Sequence, residues 1–181
     1  MVKTSSTFRN FLTFIFLLIS FSVIFLGLGC NYFYSVDIGK KAPDFKLSVF
    51  KNNNYNFGHQ VSLSDFIGTP VVINFYYPSC PPCRVEMPDL EDISNEYVGQ
   101  LQVIGVQQLG IDSPEDGQNF VDQLGLTFLL GPDKDNEIMK KYEIVGFPTT
   151  IILDKNHKIN KVWVGYIGKD QLIKIIEDVL D

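Results

Sequence analysis

The chain reads as an α/β protein, a three-layer α/β/α sandwich around a mixed β-sheet, and three patterns in its 181 residues predict that class. Apolar, β-branched runs alternate with helix signatures through the middle of the chain. Two strands flanking a polar turn then close the sheet as an antiparallel hairpin, and a last amphipathic helix follows them. Beyond the N-terminal segment about 140 residues remain, enough for one compact domain with a sizeable core and too few for two ordinary ones.

Taken in order, residues 45–50 are a leading strand candidate, followed by a polar, turn-rich stretch with Asn52, Asn53, Asn54 and Gly58. Ser62-Leu63-Ser64-Asp65-Phe66 predicts a short helical turn before Gly68 and Pro70 open the central strand. Residues 71–77 are apolar, β-branched and aromatic, the signature of a buried parallel strand, and a helix is expected from Arg84 onward. A second parallel strand is expected over 101–107. Ser113-Pro114-Glu115-Asp116 combines an N-cap, a proline at the first helical position and acidic first-turn residues, so a helix starts there and runs to about Leu124. A short strand at 128–130 and a short helix at 136–142 come next. Residues 149–153 and 158–164 form the hairpin around a polar turn, and Leu172, Ile175, Ile176 and Val179 recur at helical spacing as one apolar stripe.

Cys80-Pro81-Pro82-Cys83 falls where the central strand hands over to a helix. Two cysteines at this spacing can close a reversible disulfide on the first helical turn, where unpaired N–H groups and the macrodipole favour a thiolate. Cys80 is therefore the candidate nucleophile and Cys83 the resolving thiol. Pro81 and Pro82 carry no N–H, which leaves Cys83 as donor and points to a less depressed thiol and a more reducing couple. Zinc needs four ligands, and Cys30, His59 and His157 offer no second clustered pair, so no metal is expected; both histidines read as solvated loop residues. With 21 acidic against 15 basic residues and no Lys/Arg cluster, the chain lacks the basic face that nucleic acid requires.

Residues 11–28 are apolar apart from Thr13, Ser20 and Ser22, close to the roughly 20 residues that cross a bilayer. Lys3 and Arg9 precede them with no acidic residue, which keeps the N-terminus cytoplasmic and sends the domain to the extracytoplasmic, disulfide-permissive side of the cytoplasmic membrane. Leu26-Gly27-Leu28-Gly29-Cys30 is similar to a bacterial lipoprotein signal, in which Cys30 would be lipidated; an uncleaved signal anchor is the alternative. The expected organisation is thus an export segment at 1–30, a tether at 31–41 and one domain at 42–181.

The strand before Cys80-Pro81-Pro82-Cys83, Glu86, Pro88 and the distant Gly146-Phe147-Pro148-Thr149-Thr150 together resemble the membrane-anchored TlpA/ResA-like group of thioredoxin-fold proteins, within the redoxin (AhpC/TSA-like) superfamily. Ala42-Pro43-Asp44-Phe45 and residues 61–66 match the group's opening segments, and residues 105–133 match its additional central elements. The resemblance implies a thioredoxin fold with extra N-terminal and central elements. It implies that Cys80 is the exposed attacking cysteine and Cys83 the buried one, and that Pro148 is a cis-proline beside them. Phe147, Pro148, Thr149 and Tyr77 would then contact the substrate chain. Glu86 would lie under the dithiol and manage a proton, as a partly buried carboxylate with a raised pKa can. Two departures stand out: Asn74, which cannot titrate, replaces the buried Asp of general thioredoxins, and Ser79 replaces the Trp often found before the first cysteine.

The implied activity is a membrane-tethered thiol:disulfide oxidoreductase that reduces partner proteins, such as the haem-attachment cysteines of apocytochrome c, and is recharged by a membrane thiol transporter. No small-molecule cofactor is expected, because the dithiol is the redox group. Three alternatives belong to other classes. A thiol peroxidase of the same fold needs Thr or Ser three residues before its reactive cysteine, where this chain has Tyr77. A copper-delivery module separates its cysteines by three residues rather than two and adds a downstream His. A non-catalytic binding module would keep its function without Cys80.

Overall fold

The computed structural model describes residues 37–180. The apolar segment 11–28, Cys30 and residues 31–36 of the expected tether lie outside the described residues, among which no helix is long and apolar enough to cross a membrane. The elements are β1 (Lys46–Ser48), β2 (Gln60–Ser62), β3 (Val71–Tyr76), α1 (Pro81–Glu96), β4 (Gln102–Gln107), α2 (Pro114–Leu124), β5 (Leu129–Pro132), α3 (Glu137–Lys141), β6 (Thr149–Leu153), β7 (Ile159–Val164) and α4 (Lys169–Leu180). Short 3-10 turns at Leu63–Phe66 and Lys134–Asn136 complete the set.

Five strands form a mixed sheet in the order β5-β4-β3-β6-β7, with β3, β4 and β5 parallel and β6 and β7 antiparallel to their neighbours. Alternation along β3 assigns its two faces. Val72 and Tyr76 join Met87, Leu90 and Ile93 of α1, Phe120 of α2, and Leu172 and Ile176 of α4 in one core. Val71, Ile73 and Phe75 pack on the other side against Leu47, Val61, Ile138 and Tyr142. The sandwich therefore has three layers, but its second outer layer is the antiparallel β1–β2 pair together with α3.

Local chemistry explains the main boundaries. Ser113 and Asp116 form a reciprocal capping box at the start of α2, and Gly125, at φ 64°, ends it in a left-handed cap. The helix expected over 136–142 is found at Glu137–Lys141, with Asn136 as its N-cap in the left-handed region; the Asp133 carboxylate accepts from the N–H groups of Ile138 (3.0 Å) and Met139 (2.7 Å) in its first turn. The apolar stripe of α4 is buried as its spacing predicts.

Two expectations change. His157 is buried rather than solvated: it occupies a left-handed position in the β6–β7 turn, and residues 39–42 fold over that turn. There Ala42 N–H donates to His157 O (2.8 Å), Gly39 N–H to Ile159 O (2.7 Å) and Ile159 N–H to Lys40 O (2.9 Å). Residues 39–41, assigned to the tether by composition, thus hydrogen-bond to the start of β7. His59 is exposed, as expected, and stacks on Tyr55.

The β1–β2 layer reaches the sheet through a close approach at Gly131, where a Cβ would sit 2.3 Å from the backbone oxygen of Ser48. Gly131→Ala is expected to cost about 1–3 kcal/mol, the scale of overpacking a well-filled core, and a urea melt would register it as a lower midpoint.

Candidate active site

β3 ends at Tyr76, and Tyr77-Pro78-Ser79 carries the chain to Cys80, which is the N-cap of α1 with Pro81 and Pro82 opening the helix. Cys80 and Cys83 are joined as a disulfide, and the Cys83 N–H donates to Cys80 Sγ at 3.3 Å. The prolines contribute no N–H, so a single helix donor reaches this sulfur. Cys80 is 2% exposed and Cys83 fully buried, which corrects the expectation of an exposed attacking cysteine. In the closed disulfide both sulfurs belong to the α1-side core, and the exposed surface of the motif is Ser79, Pro81 and Pro82.

The Phe147–Pro148 bond is cis. Phe147 lies half-buried against Tyr77, with the rings edge to face at 5.3 Å, so two of the expected contact residues adjoin each other at the motif. Thr149 does not face outward: it is buried within β6, paired with Phe75 and Val164, and its hydroxyl donates to Gly146 O at 2.8 Å. Pro148 is also buried, and its carbonyl accepts from Gly165 N–H at 2.8 Å. Both residues hold the loop, and exposed Val145 with part-buried Gly146 and Phe147 form its surface. Tyr76 belongs to the core, stacked on Phe120.

Glu86 lies one helical turn beyond Cys83 on the same side of α1 and is fully buried. Its Oε1 accepts from Asn74 Nδ2 and Thr150 Oγ1, both at 2.9 Å, and its Oε2 accepts from the Ile167 N–H at 3.3 Å. Burial pushes its pKa up to about 7; the Thr150 and Ile167 hydrogen bonds oppose the rise and the nearby Asp89 charge adds to it. A carboxyl group poised there can take up or release a proton near neutral pH. Asn74, which replaces a titratable residue, serves here as a donor to Glu86.

Thr150, Ile167 and Asp112 are site residues that sequence reasoning missed. Thr150 is the cross-strand partner of Asn74, so both side chains leave the sheet on the α1 face. Asp112, in the loop after β4, accepts from Ser79 beside the motif. Arg84 donates from Nη1 to Pro78 O at 3.2 Å and lays its guanidinium 5.1 Å from the Phe120 ring centroid.

Comparison with known proteins matches residues 38–162 to the AhpC/TSA family. Thiol-disulfide oxidoreductase ResA of Geobacillus kaustophilus is 30% identical over 169 residues, spanning 90% of this chain and 91% of that protein. Thioredoxin-like protein YneN of Bacillus subtilis is 35% identical over 135 residues, spanning 74% and 75%. Among solved structures, a candidate thiol:disulfide interchange protein DsbE from Chlorobium tepidum superposes with a TM-score of 0.72 at 29% identity, covering 81% of this chain and 100% of that one.

Proposed function

The chain belongs to the AhpC/TSA family and is a thiol:disulfide oxidoreductase, and from that premise we propose that it works as a membrane-tethered, extracytoplasmic reductant of protein disulfides. The Cys80 thiolate attacks one sulfur of a partner disulfide, forming a mixed disulfide and releasing the partner's other sulfur as a thiolate, which takes up a proton. Cys83 gives its proton to Glu86, attacks Cys80 Sγ and displaces the partner's second sulfur. Two electrons pass to the partner, and the Cys80–Cys83 disulfide remains. A membrane thiol transporter would restore the dithiol, and the haem-attachment cysteines of apocytochrome c are the substrate class that the family resemblance brings forward.

The observation that supports the reductive direction is the donor set at Cys80: with Pro81 and Pro82 opening α1, only the Cys83 N–H among the described residues reaches its sulfur. A thiolate with few donors is less stabilised, which makes the dithiol a stronger reductant. The test is Cys83→Ala in cells. Without the resolving thiol, partner proteins should accumulate as adducts that dithiothreitol removes and that vanish when Cys80→Ser is added. Alkylation of the resting wild-type chain should find mainly free thiols. An absence of adducts, or a resting pool that is mostly disulfide, would overturn the reductive reading.

Tethering rests on residues 11–28 and on Leu26-Gly27-Leu28-Gly29-Cys30. If Cys30 carries the lipid, Cys30→Ser should abolish metabolic labelling by a fatty acid; if the apolar segment is an uncleaved anchor, the wild type takes up no label and stays in the membrane fraction.

A further inference from the structure

We propose that Asp112 is a positioning residue of the exchange reaction: it clamps Ser79, the residue before Cys80, and holds a carboxylate beside the thiolate that forms when the disulfide opens. The proposal rests on the reading of Cys80 as the nucleophile. A single oxygen, Asp112 Oδ2, accepts from Ser79 N at 2.8 Å and from Ser79 Oγ at 2.9 Å. Two donors on one charged acceptor fix its direction more firmly than one bond to an exposed side chain would. The loop carrying Asp112 is itself pinned. Leu109 bridges to Asp112, Leu109 N–H donates to Asn136 Oδ1 (2.9 Å), and Asn136 Nδ2 donates to Leu109 O (2.8 Å). The segment 109–112 is therefore anchored to the start of α3 at one end and to the nucleophile's neighbour at the other.

Three other charged groups lie on the elements that follow β3 or open beside it. Arg84 on α1 turns its guanidinium to Pro78 O and the Phe120 face, Glu86 lies buried under the motif, and Asp116 at the start of α2 is engaged by Ser113. Asp112 alone among these four bonds to the residue adjoining Cys80. Its charge opposes the partial positive charge of the α1 N-terminus, which already lacks two N–H groups. A carboxylate bonded to the residue before Cys80 disfavours the thiolate and so strengthens the dithiol as a reductant. The same clamp holds Ser79 in place.

The test is the pH dependence of Cys80 alkylation by iodoacetamide in the reduced chain, read peptide by peptide. Asp112→Asn keeps an acceptor for Ser79 and removes the charge. Its alkylation midpoint should fall by about half a unit to one unit, with roughly a three- to tenfold larger thiolate fraction below the midpoint. Asp112→Ala should lower the midpoint as well and should also lose hydrogen-exchange protection at the Ser79 amide. If one variant fails to fold, the other still gives the midpoint. An unchanged midpoint in a folded variant would overturn the proposal, even if Ser79 protection were lost, because that pattern describes a purely structural tie. No partner protein enters this measurement, so its outcome is separate from whether the chain reduces proteins in cells.

Discussion

Cys80→Ser is expected to bring reduction of a model protein disulfide down to the uncatalysed rate while leaving the domain cooperatively folded. Exchange needs a thiolate, and a serine hydroxyl supplies no comparable nucleophile at neutral pH. The loss should be complete, because Cys83 is buried and its N–H points at the sulfur being removed. Stability should change far less. Loop-closure entropy for cysteines three residues apart amounts to about 2 kcal/mol at most, so Cys80→Ser should melt close to the reduced wild type and only slightly below the oxidised form. A turnover assay alongside thermal melts of the three species checks both statements. Retention of reductase activity would remove Cys80 from the reaction, whereas full cellular function in a Cys80→Ser strain that has lost it would favour the non-catalytic binding module.

Glu86→Gln is expected to flatten the pH dependence of stability in the oxidised protein. Folding raises the Glu86 pKa from an ordinary value of 4.5 to about 7, so between those values the native state holds a proton that the unfolded chain has released. The contribution is fully present below about pH 4.5 and is lost as pH rises through 7. Above that, keeping the carboxylate buried costs about 3 kcal/mol, to an order of magnitude. Glutamine mimics the protonated side chain and should be the more stable form at pH 8 and slightly the less stable at pH 4. Its gain should fall somewhat short of the full amount, because the amide NH2 would meet the Ile167 N–H where Oε2 now accepts. Urea midpoints of both proteins at pH 4 and pH 8 measure this. In the proposed cycle the same variant slows the Cys83 step, so mixed disulfides should persist and the inflection near pH 7 in the resolution rate should disappear. Parallel pH profiles for the two proteins would exclude Glu86 from proton transfer.

Much of the fold and part of the site were legible because their signals are local. The run at 71–77, Asn74 apart, is apolar on both faces because a packed layer covers each side of β3, with α1 and α4 on one and β1, β2 and α3 on the other. Ser113-Pro114-Glu115-Asp116 caps α2 by contacts within one turn. The α4 stripe follows from helical periodicity alone. Cys80 and Cys83 could be found together because they share the first turn of one helix. Glu86, one turn further on, and the remote Pro148 and Phe147 were linked to the dithiol by the family resemblance.

Other features depend on long-range register, which a one-dimensional pattern does not carry. Asn74 and Thr150 are neighbours only because β6 pairs antiparallel to β3, and Ile167 meets Glu86 only where the chain crosses back from β7 toward α4. Asp112 reads as an ordinary loop acid until the turn after β4 brings it to Ser79. His157 and Thr149 misled for opposite reasons: a polar turn was covered by residues 39–42, and a residue beside the cis-proline was taken into the sheet.

The sequence by itself determined the α/β class, the position of a redox-active pair at a strand-to-helix junction and the carboxyl group one turn beyond it, since strand, cap and helix signals all lie within a few residues of the groups they govern. Only the tertiary structure decided that this carboxyl group is buried among three donors, and that a remote aspartate holds the approach to the nucleophile. Burial and charge at a point in space are sums over segments that meet only when the sheet closes, so the electrostatics of the dithiol belong to the fold and not to the motif.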